Sequence, residues 1–139
     1  MERPGPVTPH LVVSDAKAAL AFYAQAFGAE EITRIPHEDG RLLHAAMRVN
    51  GAMVMLMDDF PEYREGTGET VAPPTTTGAT SVTIHLDVAD CDAAAARAEA
   101  AGARVTMAPH DAFWGDRYAR VIDPFGHSWS LAHPLAQGR

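Results

Sequence analysis

A run near the start of the chain recurs near its middle: Thr8-Pro-His10-Leu11-Val12-Val13-Ser14-Asp15 aligns with Thr83-Ile-His85-Leu86-Asp87-Val88-Ala89-Asp90, 75 positions further on. The same offset sets Gly40 on Gly115, Gly51 on Gly126 and Leu56 on Leu131. Several histidine, glycine and aspartate matches at one offset are hard to obtain by chance, even with this much alanine and glycine, so the chain reads as a duplicated module. At 139 residues the two copies make one domain or two tightly fused halves. A chain of that size buries about 68–70% of its unfolded surface and needs neither disulfide nor structural metal for stability.

Each copy carries the same succession of signals. In the first, an alternating strand over Thr8 to Ser14 leads to Asp15, a helix-capping residue, then a helix over Ala16 to Phe27 with Leu20, Phe22, Tyr23 and Phe27 as its larger apolar groups, stopped by Gly28. Ile32 to Pro36 reads as a strand, and Arg41 to Val49 with Ala52 to Met57 as a hairpin about Asn50-Gly51, the strongest short-range hairpin signal. The second copy repeats this with a strand over Val82 to Val88, a helix over Asp92 to Ala101, a stop at Gly102, and strands over Val105 to Ala108, Tyr118 to Ile122 and Ser128 to Ala132. The last two are joined by the turn Asp123-Pro124-Phe125-Gly126. The expected organisation is a first module over 1–59, a connecting stretch over 60–80 and a second module over 81–139. The stretch from Phe60 to Thr80, rich in Pro, Gly, Thr and Glu, reads as a connector ahead of a lid over a site.

Composition narrows the function classes. Cys91 is the only cysteine, so no disulfide framework or cysteine-based zinc site exists within one chain, and a structural thiol is expected there. Eighteen acidic residues against eleven basic ones, a formal charge of −7, disfavour nucleic acid. No stretch approaches the ~20 apolar residues that span a bilayer, so a cytoplasmic chain with no membrane partner is expected. No GxSxG, P-loop, dinucleotide-binding glycine pattern or HExxH occurs, which leaves serine hydrolysis, phosphoryl transfer and hydride transfer without support.

Strand alternation sorts the side chains. Leu11 and Val13, like Leu86 and Val88, share a face suited to the helix, which leaves Thr8, His10 and Val12, and Thr83, His85 and Asp87, for the opposite face. A two-residue turn at Asn50-Gly51 pairs Val49 with Ala52, and thereby Arg48 with Met53, Ala46 with Met55 and His44 with Met57. His44 and those methionines then share a face.

The segments Pro9-His10-Leu11 through Asp15, Ala21-Phe22-Tyr23 through Phe27-Gly28-Ala29, Asp39-Gly40 through His44, Phe113-Trp114-Gly115-Asp116-Arg117 and Asp123-Pro124-Phe125-Gly126-His127-Ser128-Trp129 resemble the vicinal oxygen chelate superfamily, the glyoxalase, bleomycin resistance protein and dioxygenase type. Within it they look most like the PhnB-like branch. The resemblance runs from about 8 to 134 and implies an α+β fold of two βαβββ modules forming a half-open barrel, a small molecule on the concave face and a homodimer. It also implies metal ligands at four places, which fall on Thr8, Met55, Thr83 and Ser130. None offers the imidazole or carboxylate that a divalent cation wants, so no metal and no cofactor are expected.

The expected activity is therefore the binding of a small amphipathic molecule in a cavity, with His10, His44, Met55, His85, Trp114 and Arg117 as ligand-binding residues. Met47, Met53, Met55 and Met57 supply an adaptable wall, His44 a general base or neutral donor, Trp114 a flat surface, and Arg117 a guanidinium for a carboxylate or phosphate, each against a plainer structural role. The rival is an enzyme, a lyase, isomerase or dioxygenase. It would use acid–base chemistry or a relocated metal on His10, His44 and His85, of which His10 and His85 sit roughly 6–7 Å along their strands from the inherited places and His44, or else Asp87, would complete the set.

Overall fold

A computed structural model describes residues 3–136. Among these, the elements run β1 (His10–Val13), α1 (Ala16–Phe27), β2 (Glu30–Pro36), β3 (Leu42–Val49), β4 (Ala52–Asp58), α2 (Pro74–Thr77), β5 (Thr83–Asp87), α3 (Cys91–Ala101), β6 (Arg104–Asp111), β7 (Asp116–Ile122) and β8 (Ser128–Pro134). The two copies form two four-stranded sheets of the same order, β1-β4-β3-β2 and β5-β8-β7-β6. In each, the first strand lies parallel to the last and the rest run antiparallel.

The duplication holds residue by residue. His10 stands opposite Met55 and Leu11 opposite Leu56, while His85 stands opposite Ser130 and Leu86 opposite Leu131, so the offset of the repeat is also the offset of strand pairing. Both helices start on the same device: extended Asp15 and Asp90 each accept a hydrogen bond from the third amide onward, Ala18 N and Ala93 N, at 3.1 Å. Gly28 ends α1 in the left-handed conformation at φ 69°. The β3–β4 turn puts Asn50 and Gly51 at φ 51° and 80°, the paired left-handed residues of a two-residue hairpin. Val49–Ala52, Arg48–Met53 and Ala46–Met55 follow as register demands.

One core serves both copies. Leu11, Val13, Met47, Val49, Val54 and Leu56 from the first sheet join Leu86, Val121, Trp129 and Leu131 from the second around α1 and α3. Tyr23 and Phe27 of α1 pack on Trp129 of β8, with ring centres 5.3 and 4.7 Å apart, so a helix of the first copy rests on a strand of the second. Burying Trp129 and Tyr23 completely stabilises the fold by several kcal/mol, at roughly 25 cal/mol per Å² of apolar surface. Met47, grouped by sequence with a methionine wall, lies in this core instead. It sits one residue out of phase with His44, and strand alternation sends it to the helix side.

The stretch between the modules is packed against them. Pro61–Tyr63 form a single 3-10 turn, Phe60 is 3% exposed, and Arg41 caps the Phe60 ring at 4.0 Å. Arg64 pairs with Asp59, and Pro74 abuts Gly126 of the β7–β8 turn.

Candidate functional site

Each sheet turns one face to the helices and leaves the other free of them; on these open faces Val12, Ala46, Ser128, Ser130 and Ala132 are nonetheless buried. In β1 and β4, Leu11, Val13, Val54 and Leu56 point inward, so His10, Val12, Met53, Met55 and Met57 point out, joined from β3 by His44 and Ala46. The same places in β8 hold Ser128, Ser130 and Ala132, beside Thr83 and His85 of β5 and Tyr118 and Arg120 of β7. One copy thus presents a thioether row and the other a hydroxyl row. The duplicated scaffold has been given two different surfaces.

On the first sheet the stretch after β4 folds over this face. A cavity of about 400 Å³ lies among His10, Val12, Met57, Phe60, Tyr63 and Val71. Phe60 and Tyr63 stack with centroids 5.1 Å apart and planes within 4°, and the Asp59–Arg64 pair sits at its edge. The His10 and His44 rings meet edge to face with centres 6.1 Å apart. Partial burial, and then the neighbouring His44 imidazole, push the His10 imidazole below its ordinary value, because both disfavour its cation. His10 is therefore a neutral imidazole at neutral pH.

On the second sheet His85 Nδ1 lies 2.7 Å from Ser130 Oγ, its Nε2 lies 3.4 Å from Asp87 Oδ1, and its ring stacks on Tyr118. Trp114, 47% exposed, meets the same Tyr118 ring at 5.2 Å and donates from Nε1 to Asp116 Oδ2. Tyr118, which no sequence motif singles out, is thus the ring that joins His85 to Trp114. Its one sequence signal is its parity with Ser130 and Ala132 across the β7–β8 register.

Of the expected ligand-binding residues, the structure brings His10, His44 and Met55 onto one open face and His85 and Trp114 onto the other. Arg117 joins neither. It alternates with Tyr118, faces the helix side, and is held by Asp92 of α3 through Nε at 2.9 Å and Nη2 at 3.1 Å and by Asp111 through Nη1 at 3.1 Å. Its neighbours in sequence, Asp116 and Asp123, suggest themselves as partners; the pairing with α3 is a tertiary contact and lies out of reach of local pattern. The open-face arginine of β7 is Arg120.

The four places that the resemblance assigned to metal ligands offer neither imidazole nor carboxylate. Thr8 donates to Gly5 O, Thr83 shares a hydrogen bond with Ser128, Ser130 is engaged with His85, and Met55 offers only a thioether. His10 and His44 lie on one sheet and His85 on the other, and among the described residues no three His, Cys, Asp or Glu side chains gather as a metal would need. Cys91 is buried at the start of α3 with its thiol donating to Leu131 O, and burial first, then nearby Asp92, push that thiol above its ordinary value. It is a structural thiol. No described helix is long and apolar enough to cross a membrane.

The geometry agrees with what known proteins show. The protein called Uncharacterized protein Mb0911c, of Mycobacterium bovis, is 53% identical over 131 residues, 94% of this chain and 84% of that protein. A glyoxalase/bleomycin resistance protein/dioxygenase from Nocardioides superposes with a TM-score of 0.70 at 24% identity, over 100% of this chain and 89% of the other. A glyoxalase-related enzyme from Fulvimarina pelagi does so at 0.72 and 21%, over 93% and 87%. At those identities the solved structures speak for the fold alone. The model of the Glyoxalase/Bleomycin resistance protein/Dioxygenase superfamily matches residues 5–131, and with two βαβββ copies in place the chain belongs to that superfamily.

Proposed function

We propose that this chain binds a small amphipathic molecule on the open face of its first sheet, without a metal, as a cytoplasmic member of the PhnB-like branch. The observation that carries this reading is the cavity at the Met57 end of the methionine row, walled by Phe60, Tyr63 and Val71 and floored by His10, Val12 and Met57. Thioethers and stacked rings adapt to an apolar body, while a neutral imidazole and the Asp59–Arg64 pair serve a polar end. Of the six expected ligand-binding residues only His10 lines this cavity; His44 and Met55 lie beside it on the same sheet, and the assignment of His85, Trp114 and the inward Arg117 to a ligand depends on a second surface.

That second surface is proposed to come with a second copy of the chain. Phe113 at 97% exposure, Val82 at 65%, Ile35 at 50% and Trp114 at 47% leave apolar area that a homodimer would cover. Light scattering at micromolar concentration should give twice the chain mass; a monomer there would refute the pairing.

The binding reading is tested by calorimetric or NMR titration with a panel of amphipathic aromatic and cationic compounds against wild type and Met57→Glu. Binding by wild type with loss in Met57→Glu supports it. No binding at all, or binding indifferent to Met57→Glu, sinks it.

A second reading rests on His10 alone: an unprotonated imidazole beside His44 is fit to take a proton as a general base. Turnover of a compound found in the screen, abolished in His10→Gln while binding persists, would move the protein into the enzymes.

A further inference from the structure

We propose that the second sheet carries a separate oxyanion site, built by Arg120, Thr83 and Ser128 with Arg104 at its rim, for the phosphate or carboxylate group of a small molecule. It is independent of the cavity on the first sheet and lies in a different pocket. That pocket, of about 530 Å³, is bounded by Arg104, Arg120, Thr80, Ser81, Thr83 and Ser128, with Pro74 and Gly126 forming its wall. No carboxylate lines it.

The arginines decide the sign of the ligand. Arg34, Arg41, Arg64 and Arg117 are each spent on an acidic partner, as befits a chain of net charge −7. Arg120 and Arg104 are not: among the described residues no carboxylate pairs with either. Arg120, half-buried on β7, donates from Nη2 to Thr83 Oγ1 and stands 3.4 Å from Ser128 Oγ. Hydroxyls orient the guanidinium without neutralising it, so its charge and its remaining N–H donors are left for a ligand.

The hydroxyls point the same way. Thr83 Oγ1 accepts from Arg120 and lies 2.9 Å from Ser128 Oγ. With the Thr83 proton directed to Ser128, the Ser128 proton remains to be donated outward, and each bond in such a chain strengthens the next. A guanidinium fork, a free hydroxyl donor and a second guanidinium at the rim complement an oxyanion and repel a cation. The wall is held in place, since Pro74 is buried and sits against Gly126 too closely to admit a side chain there.

Inorganic phosphate, phenyl phosphate and benzoate, titrated separately at constant ionic strength and followed by calorimetry and amide chemical shifts, provide the test. Saturable binding is expected, with shifts centred on Thr83, Arg120 and Ser128. Arg120→Met should weaken binding about tenfold or more, Arg120→Lys less, and Arg104→Met by a smaller factor, while Arg34→Met leaves it unchanged. Preference for phenyl phosphate assigns a phosphate ligand and preference for benzoate a carboxylate; either supports the site. The site is refuted if wild type binds none of the three saturably, or if affinity is the same in Arg120→Met and Arg104→Met as in wild type. Should Arg120→Met fail to fold, Arg104→Met, at an exposed position, and Arg120→Lys decide between these outcomes: weakened binding supports the site, and wild-type affinity in both refutes it. The Met57→Glu variant binds these anions normally, which separates this site from the first-sheet cavity.

Discussion

His133 does for the second module what Asp58 does for the first. Ala16 N, the first amide of α1, donates to Asp58 Oδ1 at 2.8 Å, and Cys91 N, the first amide of α3, donates to His133 Nδ1 at 2.8 Å. Each acceptor stands near the end of the last strand of its module, 75 positions apart. Both satisfy an orphan amide at a helix N-terminus, yet one is a buried carboxylate and the other a half-buried imidazole. Asp58 also accepts from Leu42 N at 2.6 Å, so it ties β4 to both α1 and β3.

The two should therefore differ in cost. Asp58→Ala strands two buried amides and is expected to destabilise by about 3 kcal/mol, whereas His133→Ala loses one bond nearer solvent and costs about 1 kcal/mol. Urea denaturation of both variants checks this. Equal losses would mean that the second bond of Asp58 contributes nothing.

The copies are joined by Asp123, which is 3% exposed and accepts from Tyr23 Oη at 2.5 Å, Trp129 Nε1 at 2.9 Å, and the Phe125 and His127 amides. Tyr23→Phe removes one of four donors and should cost about 1–2 kcal/mol; Asp123→Ala orphans all four and should cost about 4 kcal/mol or prevent folding. Burial, and then the Asp123 carboxylate, hold the Tyr23 phenol well above its ordinary value. Its phenolate absorbance should appear only with alkaline unfolding, a component missing in Tyr23→Phe. Early titration of Tyr23 would contradict the buried bond.

These contacts show where the sequence is legible. Copies related by one offset announce their sheets, caps and hairpin, because those depend on local chemistry: Asp15 and Asp90 cap, Asn50-Gly51 turns, and His10 and His85 take matching places. What crosses between elements is silent. Arg117 and Arg120 look alike in sequence, and only the register of β7 with β8, together with the approach of α3 carrying Asp92, sends one inward and leaves the other open. Phe60 to Thr80 reads as a linker because proline and glycine suppress periodicity, although Phe60, Pro73 and Pro74 are buried. The contrast of Met53, Met55 and Met57 with Ser128, Ser130 and Ala132 needs the two sheets side by side.

His10 gives the stability a pH dependence of known sign. Its folded value lies below the unfolded one near 6.5, so the unfolded chain takes up the proton first. The contribution is complete above the unfolded value, declines as pH falls from there toward the folded value, and is constant below it. Denaturation midpoints from pH 7.5 to 5 should fall more steeply for wild type than for His10→Gln. Parallel curves would show that the His10 value is not depressed. The effect is small, because His10 remains exposed.

Gly126 tests whether the stretch before β5 is a fixed wall or a tether. It sits at φ +87°, and a Cβ there would stand 2.7 Å from Pro74 Cβ, closer than real contacts allow. Gly51 is the control, at φ +80° with nothing within 4 Å of a Cβ. Gly51→Ala should cost about 1–2 kcal/mol, the strain of a left-handed alanine alone. Gly126→Ala adds the collision with Pro74, so it should cost about 1–3 kcal/mol more if the wall is rigid. If the stretch is a tether, Pro74 withdraws and the two variants match. The same variant reports on the oxyanion pocket: if Pro74 withdraws, the pocket loses its wall and phosphate affinity falls in Gly126→Ala, whereas a rigid wall keeps it, and Gly51→Ala keeps it in either case.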